Sequence, residues 1–406
     1  MKRSNRGPRS GENLSAGRVE YLEQARRRVQ ARRLRRTVVI VLLLAALVGY
    51  ATGAVGSSIA LAKDLVDSVK IAFLPRQGYP QQTGIQEIYQ MEPLAGGYVL
   101  LGEEGCVVYS DKGNRLNSIQ TSYARPALAV GKTHFVLYNR SGNELRVESR
   151  TQNLYTMTME NKIYLCGMAD DGKLAVVTED TRTLARLTVY SAQMEELLRW
   201  SVTTTEGTPL RVAFSPDNGK LAVATLTAKD SAILSNLYLL GVSEGDPVCL
   251  AGVPGCIPQW VGWTSNREIL VIYDDHAALY DVSGAEKGRY DYGGNGLVDF
   301  SVGDAGLALL FEGGQVALLN KGLGIEYQGA VPSANRILRT KENFYLLCDQ
   351  SVEVFGADGV YQWSQQLEAK PEALLAGRQL LLFCSNTVQQ LEPPAPKNKT
   401  PGWESC

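Results

Sequence analysis

The sequence predicts an all-β protein, a single β-propeller, preceded by one transmembrane helix. Three observations support this prediction: a strand-turn-strand motif that recurs along most of the chain, a composition suited to short strands, and one long uncharged segment near the N-terminus. The motif is clearest in AFSPDNGKLAV, residues 213–223, where two apolar runs flank a polar turn that contains proline and glycine.

The composition is that of a globular chain with an uneven distribution of charge. Hydrophobic residues make up 45% of the 406 residues, and the 40 glycines and 19 tyrosines favour short strands and tight turns. The net charge of -1 conceals an asymmetry, because residues 1–36 carry twelve Lys or Arg and only three acids. A basic N-terminal tail therefore precedes an acidic body.

Residues 37–62 contain no charged side chain and are predicted to form a signal-anchor helix. A helix of this length measures about 39 Å, which exceeds a bilayer core of about 30 Å. Seven arginines between residues 26 and 36 precede it, so the positive-inside rule predicts a cytoplasmic N-terminus and an extracytoplasmic body in the cell membrane. The alternative is signal-peptide cleavage after Ala60-Leu61-Ala62, which is disfavoured because the apolar core ends near Val48.

Two further features of this region concern partners. Gly49, Gly53 and Ser57 recur every four residues and suggest a weak dimer through the helix, although glycine is common in membrane helices in any case. The arginine-rich stretch is interpreted as a topology signal that lies on anionic headgroups, and no nucleic-acid partner is predicted.

The motif recurs eight times, with the spacing of propeller blades. The copies begin at residues 91, 127, 167, 213, 262, 301, 338 and 374, which lie 36 to 49 residues apart. Eight blades are favoured, and seven are the alternative if two weak copies share one blade. The last copy lacks an outer strand, and we expect the apolar segment 68–74 (SVKIAFL) to complete it and close the ring. The propeller is assigned to residues 63–392, followed by a proline-rich tail at 393–406.

Two stretches resemble known repeats. FSPDNGKLAVA, residues 214–224, resembles the first hairpin of TolB-like and WD40-like propellers, and GADGVYQW, residues 356–363, is similar to quinoprotein-type repeats. With its anchor, the chain resembles an uncharacterised family of bacterial membrane-anchored propeller proteins, a domain of unknown function, over residues 68–392. The Gly-His and Trp-Asp pairs of WD40 repeats are absent, and the quinoprotein repeat matches well in one blade only. The resemblance therefore implies a fold and no site.

The reactive residue types do not form a recognisable constellation. Among seven cysteines without a C-x-x-C, Cys249 and Cys256 are the only candidates for a disulfide, the alternative being two small buried hydrophobes. The remaining candidates are His134 and His276, which lie in different repeats, and the acidic pairs Asp170-Asp171 and Asp274-Asp275. All are interpreted as strand or turn residues, and no catalytic, cofactor or metal site is predicted.

Aromatic residues and glycine pairs also have structural interpretations. The candidates for a sugar platform, which we assign instead to packing between blades, are Trp200, Trp260, Trp263 and Trp363. The sequence DYGGNG at residues 291–296 does not match the dinucleotide-binding pattern.

The functional hypothesis follows from the predicted fold and anchor. We expect an extracytoplasmic scaffold or protein-binding module of the cell envelope, whose partner contacts loops on the top face of the ring. A lactonase-like or quinoprotein-like enzyme is the alternative, and it would require carboxylates or histidines that converge in the channel. A purely structural scaffold, dimerised through the anchor, is the third.

Overall fold

The computed structural model of the protein describes residues 67–229, 231–243 and 245–393. Within these ranges the chain forms a short helix, α1, at residues 67–73, and eight antiparallel sheets of four strands, each of which is one blade. The predicted propeller and its eight blades are confirmed. No helical segment in these ranges has the length and apolar character that a bilayer crossing requires. The predicted basic tail, membrane segment and nearly all of the proline-rich tail lie outside the described residues.

In every blade but the last, four consecutive strands run outwards from the channel. Blades 1 to 4 contain β2 (Gln90–Leu94), β3 (Gly97–Gly102), β4 (Gly105–Ser110), β5 (Arg115–Gln120); β6 (Pro126–Val130), β7 (His134–Asn139), β8 (Glu144–Ser149), β9 (Asn153–Thr158); β10 (Ile163–Met168), β11 (Leu174–Thr178), β12 (Ala185–Tyr190), β13 (Glu196–Val202); β14 (Thr208–Phe214), β15 (Lys220–Lys229), β16 (Ala232–Gly241) and β17 (Val248–Pro254).

Blades 5 to 7 repeat this order, and blade 8 takes its outer strand from the start of the described chain. Their strands are β18 (Pro258–Ser265), β19 (Glu268–Tyr273), β20 (His276–Asp281), β21 (Glu286–Asp291); β22 (Leu297–Gly303), β23 (Gly306–Phe311), β24 (Gln315–Leu319), β25 (Ile325–Ala330); β26 (Arg336–Arg339), β27 (Asn343–Leu347), β28 (Ser351–Gly356), β29 (Tyr361–Gln366); β30 (Pro371–Ala376), β31 (Leu380–Cys384), β32 (Thr387–Gln390) and, outermost, β1 (Gln81–Gln82).

The eight sequence copies are the first hairpins of the eight blades, and their turns are built from local hydrogen bonds. In the clearest copy the Asp217 carboxylate accepts bonds from the Ser215 hydroxyl at 2.6 Å and from the Gly219 amide at 3.1 Å. Asn218 has a φ of 57°, a left-handed conformation that asparagine tolerates. Short-range side-chain chemistry therefore fixes this turn.

Burial patterns explain the strand sequences. Second strands such as β23 are buried at every position, because both faces of the sheet pack against neighbouring blades, so they read as continuous apolar runs. Outer strands such as β5 and β25 expose most or all of their residues at least partly, since they lie at the rim of the ring.

Apolar clusters fill the gaps between neighbouring blades, one cluster to each of the eight gaps in the described chain. The tryptophans belong to these clusters, as predicted. Trp200 of blade 3 packs on Tyr238 of blade 4 with ring centroids 5.2 Å apart, and Trp260 of blade 5 contacts Phe300 of blade 6 at 6.2 Å. Trp263 and Trp363 pack at the gaps between blades 4 and 5 and between blades 7 and 8.

As predicted, an N-terminal strand completes the last blade, but the segment that forms this strand was predicted wrongly. Residues 68–74 do not form a strand; instead Gln81 and Gln82 pair with Val388 and Thr387 of β32. In a strand, Val69, Ile71 and Phe73 would share one face. Ile71 is 6% exposed whereas Phe73 is 85% exposed, and the buried residues Asp67 and Ile71 are four apart, which is helical periodicity.

Strand direction gives the ring two different faces. We call the face with the loops between first and second strands, and between third and fourth strands, the bottom face. The top face carries the loops between second and third strands and the connections from one blade to the next. Helix α1 lies on the bottom face, where Arg150 donates to the Ser68 hydroxyl at 2.6 Å and Lys112 donates to the Ala72 carbonyl at 2.6 Å.

Candidate functional site

The first strands of the blades surround a channel that contains a cavity of ≈ 800 Å³. This cavity is lined by residues of β2, β22, β26 and β30, from blades 1, 6, 7 and 8. Its acidic wall includes Glu92, Asp299 and Glu372. These are the carboxylates that an enzyme working in the channel would use.

Two of the channel carboxylates, Asp299 and Glu372, accept hydrogen bonds that join neighbouring blades. The inner edge of a first strand presents backbone groups with no strand beside them, and side chains of the adjacent blade pair with these groups. Asp299 accepts from the Ile337 amide at 2.8 Å, and Glu372 accepts from the Ile88 amide at 3.3 Å. Asp299 and Glu372 therefore tie blades together.

The hydrogen bond that the channel carboxylate of Glu92 accepts lies within its own blade. Its Oε1 accepts from Gln90 Nε2 at 3.0 Å. Burial raises the pKa of Glu92, and the bond from Gln90 opposes this only in part. The folded protein thus holds a proton on Glu92 at a pH where the unfolded chain has released it.

Replacement of Glu92 by Gln is expected to raise the melting temperature at pH 7. A raised folded-state pKa means that stability is lost as the pH rises from the unfolded-state pKa through the folded-state pKa, and glutamine removes this loss while it keeps an oxygen for Gln90. The difference between Glu92→Gln and the wild type should vanish below about pH 4, where the glutamate is protonated in both states. Melting curves from about pH 3 to 8 test this, with the exposed Glu342→Gln as the control.

A second cluster lies on the top face between blades 4 and 5. Cys256 precedes β18, Asp275 lies in the turn after β19, and His276 is the first residue of β20. The donor atoms of the thiol, the carboxylate and the imidazole all lie within 4.8 Å of one another. Cys256 and His276 are 0% and 1% exposed. His276 Nδ1 is 2.5 Å from the Asp275 carboxylate, and its Nε2 has no hydrogen-bond partner among the described residues.

This cluster was missed by sequence reasoning, because Cys256 lies nineteen residues before the adjacent Asp275 and His276 and the set matches no spacing motif. The repeat alignment contained the signal. Cys256 stands just before a first strand and Asp275 stands in the following turn between second and third strands, so both are at the top edge of blade 5. Burial, together with Asp275 and Asp274, raises the pKa of the Cys256 thiol to about 12. The thiol is therefore protonated at neutral pH and a weak nucleophile.

The other predicted candidates lie in strands and turns. Cys249 and Cys256 are both free, since β17 runs extended between them from the bottom of the blade to its top. The Asp171 carboxylate accepts from the Lys173 amide at 3.2 Å within a turn, and His134 is the first residue of β7.

One hairpin extends beyond the others on the top face. Strands β15 and β16 have ten residues each, whereas the second strands of the other blades have five or six. Four additional residues extend the hairpin by about 13 Å. Near its tip Ile233 is 43% exposed, which makes it an apolar contact available to a partner.

Comparisons with known proteins identify the fold and the family. BamB from Moraxella catarrhalis is similar at 11% identity and a TM-score of 0.52, over 78% of this chain and 99% of that one. Apo AztD from Citrobacter koseri has a TM-score of 0.52 and 11% identity, over 68% of this chain and 84% of that one. These identities establish the fold alone, and no curated protein matches the sequence. The model of the family of unknown function DUF5711 matches residues 77–283, and the chain belongs to that family.

Proposed function

We propose that this protein is a single-pass membrane protein whose extracytoplasmic propeller binds a partner protein through its top face. The observation that carries the proposal is the arrangement of two features on opposite faces. The described chain enters the propeller on the bottom face through α1, whereas the extended β15–β16 hairpin rises from the top face. An anchor that precedes α1 leaves the top face free for a partner.

Contacts on the bottom face support this orientation. Helix α1 and the segment after it contact loops of three blades. Thr151 of blade 2 donates to the Asp67 carboxylate of α1, and Asn114 Nδ2 of blade 1 donates to the Pro75 carbonyl at 2.9 Å. Arg76 donates to Gln379 of blade 8 at 2.8 Å. The start of the described chain is therefore fixed to the bottom face at several points. The predicted membrane segment ends at residue 62, and α1 begins at residue 67.

The charge of the top face indicates the chemistry of the partner. Acidic residues outnumber basic ones on the top-face loops, whereas the two kinds are nearly equal on the bottom-face loops. The acidic residues include Glu103, Glu104, Glu179, Asp180, Asp274, Asp275, Glu312, Asp349 and Glu368. Complementary potentials steer association, so the partner should present a basic surface with an apolar residue against Ile233.

Site-specific photo-crosslinking in living cells tests the proposal. A photoreactive residue at position 233 of the full-length chain should give one discrete adduct with another protein. The same residue at position 325, which is 59% exposed on the outer strand β25, is the matched control and should give none. Adduct formation by the chain with Glu103→Gln and Glu104→Gln should fall several-fold, because the attraction to a basic partner is weakened.

Two results would contradict the proposal. Equal adducts from positions 233 and 325 would indicate random collisions. An adduct from neither position, with a wild-type melting temperature for both variants, would mean that the top face has no protein partner under those conditions and that the hairpin has another purpose.

A further inference from the structure

The three side chains that meet on the top face between blades 4 and 5 are those that zinc uses in proteins. Zinc is bound in a tetrahedral arrangement by cysteine sulfur at about 2.3 Å and by histidine nitrogen or carboxylate oxygen at about 2.0–2.2 Å, so two donors on one ion are about 3.4–3.6 Å apart. The donor atoms of Cys256, Asp275 and His276 lie within 4.8 Å of one another. A side-chain movement of about 1 Å is enough to bring all three onto one ion. We propose that Cys256, Asp275 and His276 bind a divalent transition-metal ion, with Zn²⁺ as the ion that fits best.

The loops that carry the donors are fixed against each other. The Asp274 carboxylate accepts from the Ile257 amide at 2.8 Å, and the Asp274 amide donates to the Ile257 carbonyl at 3.1 Å. The Ser235 hydroxyl of the neighbouring blade donates to the Cys256 carbonyl at 2.6 Å. These bonds hold the ligands before any ion arrives, as outer-shell contacts do in metal sites.

The environment of His276 favours coordination. Its ring is stacked on Tyr273 with centroids 4.5 Å apart, and both ring nitrogens are withheld from solvent because the side chain is 1% exposed. One nitrogen faces the Asp275 carboxylate and the other has no hydrogen-bond partner among the described residues. An ion shared by Asp275 and His276 would bind at Nδ1, the ring nitrogen that already faces the carboxylate.

Charge and access complete the site. Binding of the ion displaces the Cys256 thiol proton to solvent, and the resulting thiolate and the carboxylate together balance the charge of a 2+ ion, so no net charge is buried. The Asp275 side chain is 61% exposed, which opens the site towards solvent on the top face. A zinc ion with three protein ligands keeps a fourth position, and here that position is available to water or to an external ligand. The site does not depend on the proposed protein partner.

Cobalt substitution tests the site in the full-length chain. The protein, purified in detergent without a polyhistidine tag, is treated with a chelator and a reductant and then titrated with Co²⁺. We expect one equivalent to bind with a thiolate-to-Co²⁺ charge-transfer band and the visible bands of a tetrahedral ion, and Zn²⁺ to displace it. Cys256→Ser should abolish the charge-transfer band and weaken Zn²⁺ binding at least tenfold, whereas the exposed Cys249→Ser should change neither.

The experiment has outcomes that overturn the proposal. The site is refuted if the wild-type chain gives no charge-transfer band, or if Cys249→Ser loses the band and Cys256→Ser keeps it. Cys256 is buried, so the Cys256→Ser substitution can destabilise the fold. If this variant has a lowered melting temperature in metal-free buffer, Asp275→Asn, which alters an exposed side chain, is used in its place. Zn²⁺ affinity that is unchanged in Asp275→Asn removes Asp275 from the ligand set and contradicts the three-ligand site.

Discussion

Removal of residues 1–85 is expected to abolish the cooperative melting transition of the propeller or to cause aggregation. This truncation removes β1, and β32 then exposes an unpaired edge. It also removes the amide of Thr83, which donates to the Asn386 carbonyl at 2.7 Å, and the Gln82 carbonyl that accepts from the Tyr109 hydroxyl at 3.0 Å. These contacts join the two ends of the ring.

The matched truncation removes residues 1–75 and keeps β1. It deletes α1 and the whole segment 68–74 that sequence patterns assigned to the closing strand. We expect a cooperative transition with a moderate decrease in melting temperature, because the packing of the buried Ile71 is lost with α1 but the last sheet keeps four strands. Identical melting curves for the two truncated chains would show that β1 does not close the ring.

Point variants at the same junction supply an independent measurement. Phe383 of blade 8 is fully buried and packs against Tyr98 of blade 1, with ring centroids 5.2 Å apart. Phe383→Ala should lower the free energy of unfolding by about 3–5 kcal/mol. Phe73→Ala, at a phenylalanine that is 85% exposed, should change it by about 0.5 kcal/mol or less.

The repeat could be read from the sequence because its chemistry is local. Turns such as the one around Asp217 are specified by residues within a few positions of one another, and the buried second strands contain short apolar runs. Eight such units at similar spacing leave little freedom in the architecture. The blade number followed from this regularity.

The closing strand could not be read in the same way, because it depends on a distant partner. Gln81 and Gln82 have no apolar pattern, and they become a strand because β32, some three hundred residues later, offers an edge. In contrast, the segment 68–74 has the valine, isoleucine and phenylalanine that favour strands. Its contacts with Arg150 and Lys112 on the bottom face accompany a helix instead.

The cluster of Cys256, Asp275 and His276 on the top face was not predicted, for a related reason. Metal-binding motifs are recognised by short spacing along the chain, whereas Cys256 and His276 are brought together by the blade. The candidate disulfide was wrong for the opposite reason. Cys249 and Cys256 are close in sequence, but in the structure they are separated by the length of β17. In a propeller, position within the repeat predicts proximity better than sequence distance does.

The side of the membrane on which the propeller lies can be measured by chemical labelling of one side chain. Cys249 is the single exposed cysteine in the described residues. We expect a membrane-impermeant maleimide to label it on intact cells stripped of their wall, in a Cys406→Ser background. The reason is the arginine-rich stretch before residue 37, which predicts a cytoplasmic N-terminus and therefore an extracytoplasmic propeller. Cys249→Ser should remove the label entirely.

A cysteine on the other side of the predicted anchor gives the reciprocal measurement. Ser10→Cys, in a chain that lacks Cys249 and Cys406, should be labelled only after the membrane is permeabilised with detergent, because position 10 belongs to the basic tail. Labelling of Cys249 that also requires detergent would place the propeller in the cytoplasm and remove the basis for an envelope function. Labelling of both positions on intact cells would mean that the segment 37–62 does not separate them. The two cysteines together therefore distinguish the predicted orientation from its inverse and from the absence of an anchor.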